Sequence, residues 1–110
     1  MVPSKSARVS ALNKFDLDLA FRALSSPVRR EILRIVAEQA SADPKTCCAP
    51  GEVCACRFSE LLGLSASTIS HHTSSLVSAG LLTARKEGTW VYYQLNRANM
   101  ARVASVISDL

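Results

Sequence analysis

Four cysteines stand within ten residues of this chain: Cys47, Cys48, Cys54 and Cys56. Thiolates are soft donors that select soft or borderline ions, whereas Mg²⁺ and Ca²⁺ want oxygen ligands. Four sulfurs in a tetrahedron would suit Zn²⁺ or Cd²⁺. The side chains of the adjacent Cys47 and Cys48 diverge, however, so three ligands with one spare fit better than four. The competing reading is that some of these cysteines are small buried apolar residues or spare loop thiols. The Cys54-Ala55-Cys56 spacing adds a mechanical condition. Residues i and i+2 do not face each other on an α-helix, but they share a face in extended chain. The pair can therefore hold one ion only if the backbone there is extended or the first helical turn is distorted.

The residues after the thiols supply a second kind of chemistry. Phe58, Leu61 and Leu62 anchor a short helix, and Gly63 follows its last apolar residue, where a left-handed position is wanted. Ser65 stands as the N-cap of a second helix running from about Ala66 to Ala79, which Gly80 ends. Helix, Gly-containing turn and capped second helix form the helix-turn-helix pattern. Ile69, Leu76 and Val77 are expected to face inward. Ser65, Ser67, Thr68, Ser70, His71 and His72 present hydrogen-bonding groups suited to the phosphates and base edges of a DNA major groove. Neighbours on a helix point about 100° apart, so one of the two histidines serves DNA or the core rather than both sharing a metal. The alternative for this helix is a solvated serine-rich face. No Lys or Arg occurs from Phe58 to Ala84. Attraction to DNA must come from Arg85 and Lys86, with Arg29, Arg30 and the N-terminal arm as further sources.

The whole chain bounds these readings. Its 110 residues make one domain, short enough that dimerisation is expected to cover apolar surface. The formal net charge is +4, the right sign for a nucleic-acid partner. No apolar run approaches the roughly 18 residues of a membrane span, and residues 1–10 lack the apolar core of a signal peptide. The expected location is the cytoplasm, where clustered cysteines serve metal or redox chemistry rather than structural disulfides. A thiol oxidoreductase or arsenate reductase is the enzymatic alternative. Against it, there is no Cys-x-x-Cys, no phosphate-cradling Gly-rich loop and no acid/base pair beside the thiols. The reading is a non-enzyme with no organic cofactor.

The elements that position these groups follow in order. Residues 1–10 form a mobile arm, and 11–110 form the folded domain. A first helix is expected over Leu12–Leu24. Ser26 and Pro27 then cap and open a second helix, with Val28, Ile32, Ile35, Val36 and Gln39 at helical spacing. Ser41–Val53 reads as a loop broken at Asp43-Pro44 and Pro50-Gly51. Leu81–Ala84 and Val91–Leu95 read as the strands of a hairpin, joined through Arg85–Thr89. Asn96 caps a last helix whose Met100, Val103, Ala104 and Ile107 form a stripe with no partner left in so small a fold. The fold class is thus mainly α (α+β): a winged helix-turn-helix with a two-stranded β-hairpin wing, dimerising through its terminal helices.

Particular stretches resemble the ArsR/SmtB metalloregulatory repressors. They are Ala23–Arg30, Glu52–Cys56, Leu62–His72, Ala79–Leu81 and Glu87–Tyr93, which together span about residues 20–95 in that family's order. The resemblance implies a homodimeric repressor that binds operator DNA and leaves it when a metal or metalloid binds. Within the family, Cys-x-Cys at the start of the helix before the recognition helix is the thiol-rich inducer site. It points to the arsenite-sensing branch, with As(III) or Sb(III) as inducer and Cd(II), Pb(II) or Hg(II) as alternatives. A thiol-redox-responsive repressor is a further alternative. The best-known arsenite sensors carry a third cysteine three residues after the second, where this chain has Ser59. Cys47 and Cys48 are the available replacements. The family's other common site, on the terminal helix, needs His and carboxylate ligands, and only Asp109 lies between Asn96 and Leu110.

Overall fold

A computed structural model describes residues 15–39 and 52–110. The arm 1–10, the thiols Cys47 and Cys48, and the breakers Pro44 and Pro50-Gly51 lie outside the described residues. Helix α1 spans Leu17–Leu24. Asp16 caps it, its Oδ1 accepting from the backbone N–H of Asp18 at 2.9 Å and of Leu19 at 3.3 Å. The described helix thus starts later than the expected Leu12. Phe15 stays outside it and turns into the core. Helix α2 spans Pro27–Gln39, opened as expected by Ser26, whose Oγ accepts from the Arg29 N–H at 3.3 Å.

Strand β1 is Glu52–Cys54, helix α3 Ala55–Leu62 and helix α4 Ala66–Ser78. Strands β2 (Leu82–Glu87) and β3 (Trp90–Leu95) precede helix α5, Arg97–Ser108. Gly63 takes φ 66° and its N–H bonds Ser59 O at 3.0 Å, the left-handed stop expected of α3. Ser65 Oγ accepts from Thr68 N at 3.2 Å, and Asn96 Oδ1 from Asn99 N at 3.1 Å, so both expected caps form.

The sheet is antiparallel, in the order β1-β3-β2. The hairpin β2-β3 is the wing, and β1 adds a third strand where a loop to Val53 was expected. Three residues carry no readable period. Their strand exists because Glu52, Val53 and Cys54 pair with Gln94, Tyr93 and Tyr92 of β3. The wing's strands also run longer than expected. Arg85, Lys86 and Glu87 pair with Tyr92, Val91 and Trp90, which leaves Gly88-Thr89 as a two-residue turn.

Phe58, Ile32, Leu76, Leu81, Leu82, Val36 and Val53 are fully buried between the helices and one face of the sheet. Each such side chain contributes roughly 1.5–3 kcal/mol of burial. Three expectations change here. Leu61, expected to anchor α3 beside Phe58, is instead exposed at 52%. In α4 the buried residues are Ile69, Thr73 and Leu76, while Val77 is exposed. Thr73 can be buried because its Oγ1 donates to Ser70 O at 3.2 Å, leaving no orphaned hydroxyl. In α5, Val103 is buried and Met100 packs on the core, so half of the supposedly unpartnered stripe has a partner within the chain. Leu19, Phe21, Ile107 and Leu110 remain exposed, on α1 and at the end of α5.

Candidate metal centre and nucleic-acid interface

Cys54 belongs to two elements at once. It is the last residue of β1 and the N-cap of α3, with φ −68° and ψ 142°. That extended residue satisfies the condition set by the i, i+2 spacing. Cys56, in the first turn of α3, turns its Sγ back to within 3.1 Å of Cys54 Sγ. The Cys54 side chain is buried and Cys56 is exposed. With metal–sulfur bonds of about 2.3 Å, sulfurs this close subtend an angle of roughly 85° at a shared ion, whereas a tetrahedral ion would spread them to about 3.8 Å. The pair opens onto a cleft of about 340 Å³, walled by Ile69, Ser70 and Thr73 of α4 and by Trp90 and Val91 of the wing. Among the described residues no group of three His, Cys, Asp or Glu side chains gathers as a metal site. Cys47 and Cys48 lie outside them.

The strand that carries Cys54 is tied to the wing by charge. Arg85 Nε donates to Glu52 Oε2 at 2.8 Å and Nη2 to Glu52 Oε1 at 2.9 Å, a two-pronged fork. Its Nη1 donates to Glu87 Oε2 at 2.6 Å, and the guanidinium lies over the Tyr92 ring at 4.5 Å. These bonds, Glu52's first and Glu87's second, raise the Arg85 pKa above its ordinary value. Arg85 was expected at a free hairpin tip, but it reaches across β3 to a carboxylate 33 residues away. Lys86, its exposed neighbour, faces away from that fork.

On α4, Ser67, Ser70, His71, Ser74 and Ser78 form one exposed stripe at helical spacing, with Ser65 and Thr68 exposed at its start. Ser65 Oγ also lies 2.9 Å from Thr68 Oγ1 and 3.2 Å from Ser67 Oγ. His72 departs from the stripe. It is half-buried, and its Nδ1 accepts from Arg29 Nε at 3.1 Å, which ties α4 to α2. Burial, then Arg29, then His71 lower its pKa. One histidine therefore meets solvent and the other braces the helix. Arg30 is also committed, its Nη1 donating to Leu24 O at the end of α1 at 2.7 Å.

The family model described as bacterial regulatory protein, arsR family, matches residues 26–84, more than half of the chain. The chain belongs to the ArsR family. An uncharacterised HTH-type transcriptional regulator of Methanocaldococcus jannaschii is 32% identical over 90 residues, covering 82% of this chain and 89% of that protein. A putative arsenical resistance operon repressor of Halobacterium salinarum is 43% identical over 72 residues. That match covers 66% of this chain but only 48% of the repressor's own length. The solution structure of a homodimeric winged helix-turn-helix domain from Mycobacterium bovis, a possible ArsR-family regulator, superposes with a TM-score of 0.66 at 25% identity, over 99% of this chain and 91% of that one. This ArsR-family chain is accordingly a winged helix-turn-helix transcriptional regulator. No described helix is long and apolar enough to cross a membrane.

Proposed function

We propose that this chain is a homodimeric repressor that releases its operator when As(III) or Sb(III) binds Cys54, Cys56 and a third thiolate from Cys47 or Cys48. The observation that carries the reading is the 3.1 Å approach of the two sulfurs at the joint between β1 and α3. An angle of roughly 85° suits a pyramidal three-coordinate centre better than the tetrahedral Zn²⁺ or Cd²⁺ of a structural site. Ligation pulls on a residue that ends a strand paired to the wing and starts the helix under the recognition helix. A change of pose at that joint alters the spacing of wing and α4, the two parts that grip DNA. A coupling of about 3 kcal/mol is enough for a roughly 100-fold loss of affinity.

In the DNA-bound state, Ser65, Ser67, Thr68, Ser70 and His71 read the groove, and Lys86 meets phosphate. Arg85 and His72 hold the wing and the helix in place for them. The dimer covers Phe21, Ile107 and Leu110, and sedimentation at micromolar concentration should give twice the chain mass. The decisive test titrates operator-bound protein with As(III), Sb(III), Cd(II), Pb(II), Hg(II) and Zn(II). Cys54→Ser and Cys56→Ser should bind operator normally and ignore As(III), and of Cys47→Ser and Cys48→Ser only the true third ligand should become unresponsive. Release of the Cys54→Ser, Cys56→Ser double variant at the wild-type As(III) concentration refutes the site.

A further inference from the structure

The recognition helix lacks basic residues along its sequence, yet a cleft beside it is basic. Its volume is about 290 Å³, and its walls include Arg22 of α1, Arg29 of α2, and His71, Ser74, Ser75 and Ser78 of α4. We propose that this cleft is a phosphate seat that holds one phosphodiester of the operator backbone. The proposal rests on the chain being an operator-binding protein, and adds a subsite to that reading.

The donors are arranged for an anion. Among the described residues, no Asp or Glu lines the cleft. Among the described residues Arg29 spends only its Nε, on His72 Nδ1, and that bond fixes the plane of the guanidinium. Among the described residues its two amino groups have no acceptor, nor does the exposed Arg22 side chain. Ser75 is an acceptor here, since its proton goes to His71 O at 3.1 Å. The Ser74 and Ser78 hydroxyls have no such commitment among the described residues and can donate. An arginine pair with two hydroxyls is a donor set matched to phosphate oxygens.

The position fits a duplex. Ser74 and Ser78 continue the stripe that starts at Ser67, seven and eleven residues further along α4. At 1.5 Å per residue they lie roughly 10 and 16 Å down the helix axis from Ser67. The major groove is about 12 Å wide. A helix that puts Ser67 on a base edge therefore carries Ser74 and Ser78 to the groove wall, where the backbone phosphates stand. Arg22 and Arg29 supply the charge that α4 lacks.

The test is operator binding by the full chain, followed by fluorescence anisotropy from 50 to 200 mM salt, with random DNA in parallel. Arg22→Gln should reduce the slope of log K against log salt by about 0.9, for both DNAs alike. Wild type then loses about 3.5-fold more affinity than the variant across that salt range. Ser74→Glu, which places a carboxylate in the cleft at an exposed helix position, should weaken both DNAs with the fold intact by circular dichroism. Unchanged slope in Arg22→Gln together with unchanged affinity in Ser74→Glu overturns the proposal. A rise in Tm with millimolar inorganic phosphate that Arg22→Gln abolishes, found together with an unchanged salt slope for DNA, also overturns it and assigns the cleft to a free anion. Failure of wild type to bind any DNA would instead refute the operator-binding reading itself.

Discussion

Replacing Gly80 by Ala tests how the recognition helix is anchored to the rest of the fold. Gly80 follows α4 with φ 78°, and a Cβ built there would stand 3.1 Å from both Asn99 Nδ2 and Phe15 Cδ1. The left-handed backbone alone costs an L-residue roughly 1–2 kcal/mol. The contacts add to this. Asn99 Nδ2 donates to Gly80 O at 2.8 Å, and Phe15 is buried at 3% exposure, so neither neighbour can give way without loss. Lengthening one neutral hydrogen bond costs about 1 kcal/mol, which brings the expected total to roughly 2–3 kcal/mol. Gly63→Ala is the control, because its φ is a similar 66° and nothing lies within 4 Å of its Cβ. It should cost only the backbone part. Urea denaturation at one fixed protein concentration should separate the variants by about 1 kcal/mol at unchanged m-value. In an Asn99→Ala background the excess for Gly80→Ala should shrink. Equal destabilisation by the two glycine substitutions would refute the claim that Gly80 is a packed junction between α4, α5 and Phe15.

Two further outcomes follow from the charged contacts. The lowered pKa of His72 means that the neutral ring is the native form. Its contribution to stability is complete above the unfolded value of about 6.5 and is lost as pH falls through the lower folded value. Denaturation midpoints should therefore drop below about pH 6.5, and His72→Gln, which keeps an acceptor for Arg29 without titrating, should flatten that drop; an unaltered pH profile would contradict the assignment. Lys86→Ala should flatten the salt dependence of operator binding by about 0.9, as loss of one phosphate contact does. Arg85→Ala should flatten it less, because its guanidinium already faces Glu52 and Glu87; equal slopes for the two variants would place Arg85 on phosphate after all.

The legible parts of the chain are those set by neighbours in sequence. Ser26, Ser65 and Asn96 each bond an N–H three residues on, and Gly63 closes α3 on Ser59, so the helix ends that frame the helix-turn-helix could be placed from residue types alone. The order of elements and the pairing of wing strands followed from the same local marks. What sequence did not reveal depends on distant partners. Strand β1 exists only because β3, some 40 residues later, offers it an edge. Thr73 displaces Val77 from the core because α4 turns its face toward α2 and β2, and a threonine that can bond Ser70 O meets no penalty there. In the candidate site, the convergence of Cys54 and Cys56 was conditional on an extended residue, and the structure supplies it. Arg85 reaching Glu52 and Arg29 reaching His72 span 33 and 43 residues, and no local pattern marks either pair.

If ion binding follows the proposed site, the unequal exposure of the two sulfurs also sets an order of events in time. Cys56 lies at the surface and Cys54 is covered. A thiophilic ion arriving from solvent would meet Cys56 first, in a bimolecular step whose rate scales with ion concentration. The second bond would form from 3.1 Å away, within one molecule, so it would be governed by local geometry and not by concentration. In the proposed site, capture and retention would thus be divided between neighbours: the outer sulfur would set how quickly the chain responds, and the inner one how long it remembers.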